Sequence, residues 1–316
     1  MTRAAAQSCP ADIPGQILWL SERYFRTERD QQFLDALAEV MMTDGSGAIL
    51  PTSMRNPLNN EARGLAVIGE SGSGKSVMLR RNLQRLPGWQ SYATGEGGNY
   101  LTITLPPEAT IRSLAIELLS LTGYGNINGR AKVYELWDVV RHKLQKEAIG
   151  LLWIDEAHHL FRSGPGRDPA AARRMMKNLL QTSGVAVVLS GVSQLNTDLK
   201  SDPETDRRFL RMHLRHYTAE AEQERLGQFV LACLQQLGLA ADDEHLAQRI
   251  LHAEQGSLGR AIDLFKTSAI RALRNCEPVL TLAELRRSFE LQHGASSGPS
   301  PFDERDWHKL RKVLRP

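Results

Sequence analysis

The chain has 316 residues, 41% hydrophobic and 24% charged, with a formal net charge of +3. That composition is ordinarily globular and excludes a wholly disordered, collagen-like or disulfide-scaffold chain, and the length suits a main domain with a smaller appendage. No run reaches the ~18 apolar residues of a membrane helix, the opening MTRAAAQSCPADIPGQ lacks the apolar stretch of a signal peptide, and the scattered Cys9, Cys233 and Cys276 form no CxxC pair. A reducing cytoplasm and no membrane association are expected.

Apolar positions at helical spacing within 17–43, among them Leu20, Phe33, Leu37, Val40 and Met41, predict one or two amphipathic helices. Thr43–Asn60 is rich in Gly, Pro and Asn and reads as a loop. Short apolar runs follow at Leu65–Ile68, Tyr100–Leu105, Gly150–Ile154 and Val185–Leu189, each leading into a helical stretch. That alternation predicts βαβ units around a parallel sheet. Residues 209–217 alternate, with Leu210, Met212 and Leu214 opposite Arg211, His213 and Arg215, as a strand at the sheet edge would. From Thr218 to Leu291 no strand is expected. Helical patterns over Ala219–Leu237, Asp242–His252, Leu258–Arg274 and Leu282–Leu291 predict a separate small helical domain. HGASSGPSP then reads as a flexible linker before a short basic tail. The expected division is an N-terminal helical segment and loop over 1–62, an α/β domain over 63–217, a helical domain over 218–293, and linker and tail over 294–316.

Gly69, Glu70, Ser71, Gly72, Ser73, Gly74, Lys75 and Ser76 fit GxxxxGK[ST] without a mismatch, between an expected strand and an expected helix. Glycines there let backbone N–H groups curl around a polyphosphate, and the helix N-terminus adds partial positive charge. Lys75 would reach the β- and γ-phosphates of ATP, and the Ser76 hydroxyl would hold Mg²⁺. The alternative is a plain glycine-rich turn.

Leu151–Glu156 is an apolar strand ending in two acids. Asp155 would order the Mg²⁺ ligand sphere, and Glu156 would polarise a water for in-line attack, which points to an ATPase rather than a nucleotide binder alone. Asp155–His158 spells DEAH, but a helicase of that kind needs a second parallel-sheet domain, and nothing after residue 218 offers one. Adjacent histidines project from different faces of a helix, so His158 and His159 are read as non-metal residues.

The motifs GESGSGKS, LLWIDEAHHL, VAVVLSGVSQL, DRRF and GSLGRAIDLF together resemble the AAA+ ATPases of the TniB/TnsC group, regulators of DNA transposition. The resemblance runs from about Arg26 to Leu291, and its branch includes ExeA-like and Orc/Cdc6-like proteins. It implies a P-loop AAA+ sheet domain with a C-terminal helical lid. It also implies a sensor 1 role for Ser190 or Ser193, since Val192 stands where the family often has a polar residue. Arg208 would be the arginine finger, with Arg207 as competitor, and Arg260 the sensor 2. A finger supplied in trans implies a homo-oligomer, a ring or helical filament in the ATP state. The resemblance further implies binding to double-stranded DNA, with a transposase and a targeting protein as partners. An ExeA-type ATPase that remodels a protein partner, and a nucleotide-gated signalling switch, are the rival readings.

With so mild a charge, DNA contacts must come from local patches multiplied across an oligomer. Tyr124, Arg130 and Lys132 form one candidate patch. Arg162, Arg173, Arg174 and Lys177, with Arg167, form a second against one acid, Asp168, and the tail from Phe302 a third. A solvated helix face is the plain alternative. Trp307, Leu310, Val313 and Leu314 would let the tethered tail dock on a partner, unless it is simply disordered.

Overall fold

The computed structural model describes residues 9–93, 96–125, 127, 130–164, 166–217, 220–294 and 300–303. They fall into two compact units. One comprises 27–71 and 75–214; the other comprises the described parts of 1–26, 72–74 and 215–316.

α1 (Ile13–Glu22) belongs to the second unit, opened by an Asp12 carboxylate that accepts the Gly15 N–H at 2.9 Å. α2 (Glu28–Ala38) starts the first unit, where the Thr27 N–H donates to the buried Asp30 carboxylate at 2.7 Å. The expected 1–62 segment is therefore split between the two units. Nor is 43–60 all loop: β1 (Met41–Thr43) and β2 (Ile49–Ser53) pair antiparallel. The Asp44 carboxylate gathers the N–H groups of Ser46 and Ala48 at 2.8 and 2.9 Å. Glycines 45 and 47 build only the turn, so the composition of the segment hid the strands on either side of it.

The remaining elements of this unit alternate as the apolar runs predict. They are β3 (Gly64–Ile68), α3 (Lys75–Leu83), β4 (Tyr100–Thr104), α4 (Ile111–Leu121), α5 (Val133–Lys146) and β5 (Leu151–Asp155). After a 3-10 helix over Ala157–Phe161 come α6 (Pro169–Thr182), β6 (Ala186–Gly191), α7 (Ser193–Lys200), α8 (Pro203–Asp206) and β7 (Phe209–His213). The strands form one parallel sheet in the order β4-β5-β6-β3-β7, with β7 at the edge as expected. β3, β5 and β6 are buried along their whole length. Ala66, Ile68, Leu152 and Ile154 face one core and Leu65, Val67, Leu151 and Trp153 the other, which is why these strands read as unbroken apolar runs. The register pairs Ile68 with Gly191 and Thr104 with Asp155, so the carboxyl ends of the strands finish at one edge. In open α/β sheets that edge is where ligands bind.

The second unit continues with α9 (Glu220–Leu237), β8 (Ala240–Ala241), α10 (Leu246–Ala253), α11 (Leu258–Arg274), β9 (Val279–Leu280) and α12 (Leu282–His293). Leu20 from α1 joins Leu234, Leu264, Phe265 and Leu285 in its core. Among the described residues, the two-residue parallel pairing of β8 with β9 departs from an all-helical reading; strands so short leave no periodicity to detect. The linker and tail expected over 294–316 are also interrupted. Phe302 is buried in this core, edge-on to Phe289 at 5.9 Å, and Arg249 donates to the Pro301 carbonyl at 3.0 Å. Residues 304–316, including the tail's Trp307 and basic residues, lie outside the described ones. Among the described residues no helix is long and apolar enough to cross a membrane.

Candidate functional site

β3 delivers the glycine loop to the carboxyl edge, where the Gly69 N–H donates to the Gly191 carbonyl at 3.1 Å. Gly72 and Gly74 take φ of +78° and +89°, left-handed values that exclude most other residues. Lys75 opens α3 and is buried, its Nζ donating to the carbonyls of Gly69 at 2.7 Å and Glu70 at 3.0 Å. Burial presses its pKa down, opposed by the carboxylates of Glu156, Asp155 and Glu70. A buried ammonium held by loop carbonyls at 2.7 and 3.0 Å is suited to receive an anion. Ser76 follows in α3, half-buried; Glu70 and Ser71 are exposed.

Asp155 closes β5 and is buried, and its Oδ1 accepts the Ser190 hydroxyl at 2.6 Å and the Glu156 N–H at 3.0 Å. Of the two serines left open above, Ser190 meets the acid, while Ser193 is exposed at the start of α7. Glu156 stands at φ +53°, ψ +35°, a left-handed residue without a glycine's excuse. Such a conformation costs ~1–3 kcal/mol and breaks the strand directly after Asp155. Its Oε2 lies 3.3 Å from His158 Nδ1.

His158 is buried, and burial, followed by His159, Arg162 and Lys75, holds its pKa down at about 4, so the ring is neutral at pH 7. The two histidine rings do not diverge as expected. The tight 3-10 turn brings them to 4.1 Å between centroids, tilted by 42°. Donor atoms of Glu156, His158 and His159 thus lie within 4.8 Å of one another. Burial first, and then Arg162 among the positive neighbours, lowers the pKa of both histidines, while Asp155 acts against it at His158 and Glu156 and Glu108 at His159. Hard oxygen donors, Asp155 and the Ser76 hydroxyl, fit Mg²⁺ better.

Arg208 was the expected finger, but it is buried. Nη2 donates to Glu61 Oε1 and Nη1 to the Glu204 carbonyl, both at 2.8 Å. Hydrogen bonds from Gln181 and then Arg208 pull Glu61 below the usual carboxylate range. Arg207, at the C-cap of α8, is exposed.

In the second unit, the Gly72 carbonyl accepts the Arg260 N–H at 3.0 Å and the Ser257 hydroxyl at 3.1 Å. The Arg260 side chain reaches outward past Gly72, at which a Cβ would meet its Cγ at 2.5 Å. Gly259, within the GSLGRAIDLF motif, permits this approach: its own Cβ would sit 2.2 Å from the Gly72 oxygen.

The second basic patch is less basic than its sequence. Arg174 pairs with Asp168 at 3.3 Å, and Lys177 with Glu204 at 2.7 Å and Asp202 at 3.4 Å, acids of α8 and its cap that lie far away in sequence. Arg162 is exposed and Arg173 half-buried. In the first patch Arg130 and Lys132 are exposed, whereas Tyr124 packs against the sheet unit's core. Asn126, Asn128 and Gly129 lie outside the described residues.

A family model, Bacterial TniB protein, matches residues 24–219. No curated protein matches the sequence. Among solved structures, the chain is similar to the Aeropyrum pernix ORC1 protein in complex with DNA, with a TM-score of 0.60 at 15% identity, covering 86% of this chain and 67% of that one. It is similar to Cdc6p from Pyrobaculum aerophilum, with a TM-score of 0.59 at 19% identity, covering 85% and 69%. The ADP form of the Aeropyrum pernix ORC2 protein gives 0.57 at 14% identity, covering 88% and 74%. At such identities the likeness is one of fold.

Proposed function

The chain belongs to the TniB family and has a P-loop AAA+ fold, and on that premise we propose that it is an ATP-hydrolysing switch that assembles on double-stranded DNA and regulates a transposase there. One observation carries the nucleotide part. The buried Lys75 ammonium and the ordered Asp155 carboxylate occupy the same sheet unit, whose β3 and β5 end at one edge.

The residues divide the work. Loop amides after Gly69, up to Ser76, bind the phosphates, and Lys75 exchanges loop carbonyls for the β- and γ-oxygens. Asp155 and Ser76 would hold Mg²⁺, which when bound neutralises charge developing between those oxygens. The Glu156 carboxylate orients the attacking water and takes its proton. The neutral His158 beside it offers no positive charge that would weaken it as a base. Ser190 acts as sensor 1 through Asp155, and Arg260, from the unit that holds Gly72, as sensor 2.

A finger must leave its own subunit, so the exposed Arg207 takes that role and the buried Arg208 holds the chain in place. Hydrolysis then depends on a homo-oligomer, and loss of the γ-phosphate removes the preference for the assembled state. Arg130, Lys132, Arg162 and Arg173 are the candidate phosphate contacts on DNA, sequence-tolerant and salt-sensitive. The solved ORC1 relative in complex with DNA and the family supply the DNA and transposition part of the reading.

The test is negative-stain imaging and sedimentation with and without double-stranded DNA and a non-hydrolysable ATP analogue. Rings or filaments that need both ligands support the proposal. Assembly on nucleotide alone, with no DNA retained at modest salt, would favour an ATPase that remodels a protein partner.

A further inference from the structure

We propose that Trp153 is a positioning residue of the nucleotide site: its indole N–H fixes the Ser190 hydroxyl on Asp155 Oδ1 and so leaves Oδ2 as the oxygen presented to the metal. The inference rests on the nucleotide reading above and adds to it a residue that a core tryptophan would not be asked to be.

Strand alternation puts Trp153 and Asp155 at the same parity on β5. Trp153 lies in the core that includes Met78 and Leu79 of α3, the helix begun by Lys75. Ser190 has the parity of Val188, which faces that core from β6. Trp153 Nε1 donates to Ser190 Oγ at 2.7 Å, and Ser190 Oγ donates to Asp155 Oδ1 at 2.6 Å. All three residues are buried.

The direction of this chain is forced. An indole N–H donates and never accepts, and a serine hydroxyl has one proton to give. Trp153 therefore fills an acceptor site on Ser190 and excludes the rotamer in which the hydroxyl would donate towards it. The proton goes to Asp155. Because Oδ1 already takes the Glu156 N–H at 3.0 Å, both bonds that Asp155 accepts fall on that oxygen. The carboxyl group is held in rotation with its bonds on one oxygen before any ligand arrives, the preorganisation a metal ligand requires. Phenylalanine or leucine at 153 would fill the core as well but would leave Ser190 free to turn.

Full-length wild type, Trp153→Phe, Ser190→Ala and the double variant are compared by fluorescent ATP-analogue binding in EDTA, and by Mn²⁺ binding to the nucleotide-loaded protein followed by electron paramagnetic resonance. Affinity in EDTA should stay within about twofold of wild type for Trp153→Phe. Mn²⁺ affinity should fall about tenfold in each single variant, the scale of one hydrogen bond to a charged group, and no further in the double variant. A Trp153→Phe isotherm that overlays wild type while Ser190→Ala shifts would overturn the role of Trp153. Absence of nucleotide binding by wild type would instead sink the nucleotide reading, and this inference with it. Should Trp153→Phe fail to fold, ¹⁵N-indole spectra decide on the native residue. The indole resonance that Ser190→Ala moves most should also shift when Mg²⁺ is added to nucleotide-loaded wild type, and a resonance indifferent to the metal refutes the proposal.

Discussion

The Arg208 guanidinium lies buried against Glu61, Nη2 to Oε1 2.8 Å, across a sequence separation of 147 residues. The bond ties the segment before β3 to the start of β7, and the Gly64 N–H donation to the Arg208 carbonyl at 2.9 Å reinforces it. Arg208→Ala leaves the Glu61 charge without its partner and should cost about 3 kcal/mol in urea unfolding. Arg207→Ala, at an exposed cap, should change stability by less than about 0.5 kcal/mol. In the assembled state it should lower ATP turnover by about a thousandfold, as loss of an arginine finger does. A stable, inactive Arg208→Ala together with an active Arg207→Ala would reverse the assignment.

The phosphate machinery predicts two opposite phenotypes from residues in one unit. Lys75→Ala should abolish nucleotide binding and nucleotide-dependent assembly. Glu156→Gln removes only the base, so it should bind ATP normally, turn over at least about a hundredfold slower and accumulate persistent oligomers. Size-exclusion profiles in ATP report both. Rapid disassembly of Glu156→Gln would take the base role away from that residue.

His158 makes stability depend on pH with a definite sign. Its pKa falls from 6.5 unfolded to about 4 folded. Below pH 6.5 the unfolded chain gains a proton that the folded one refuses, so this contribution costs stability progressively as pH falls to about 4. The full loss is about 3 kcal/mol at ~1.4 kcal/mol per pKa unit. His158→Gln should flatten urea-derived stability between pH 6.5 and 4 relative to wild type. Identical slopes would place the titration elsewhere.

Long strands and the glycine loop were legible in the sequence because both depend on local pattern. The strands within the runs at 65–68, 150–154 and 185–189 are buried on both faces, and β4 in the run at 100–105 is buried except at Thr102 and Thr104, so each reads as an apolar run. Three features were not legible, each because its cause is a partner distant in the chain. The choice between Arg208 and Arg207 stayed open because the partner that buries Arg208, Glu61, stands 147 residues away. The basic patch ending in Lys177 looked unpaired because Asp202 and Glu204 come from a later turn. The hydrogen bond of the core residue Trp153 could not be read from β5 because its partner, Ser190, is on another strand. The histidine pair failed for a local reason: a 3-10 turn, not an α-helix, carries it.

Phe302 predicts that the segment after the glycine- and serine-rich stretch is part of the helical unit's stability. Its burial beside Phe289, with Arg249 bonded to both the Pro301 carbonyl and the Asp243 carboxylate, makes a second closure of that core. Phe302→Ala should destabilise the helical unit by about 3 kcal/mol. Chain ended at Gly294 should lose at least as much, read as an earlier unfolding transition in calorimetry. An unchanged transition would mean that the segment only rests on the surface.

Gly259 separates a requirement for space from a requirement for charge. A Cβ there would stand 2.2 Å from the Gly72 oxygen and 2.7 Å from the Gly74 nitrogen, and both are backbone atoms that cannot turn aside. Gly259→Ala must therefore push the start of α11 off the crown of the glycine loop, and overpacking of this kind costs ~1–3 kcal/mol. Because the Arg260 N–H and the Ser257 hydroxyl both bond the Gly72 carbonyl, the displacement also loosens the loop. Nucleotide affinity should fall at least about tenfold, the equivalent of ~1.4 kcal/mol. Arg260→Ala keeps the backbone donor and removes only the guanidinium, so it should lower turnover more than affinity. Fluorescent-nucleotide titration beside steady-state hydrolysis resolves the pair. If Gly259→Ala bound as tightly as wild type, the close approach would be dispensable, and the coupling would rest on the arginine side chain alone.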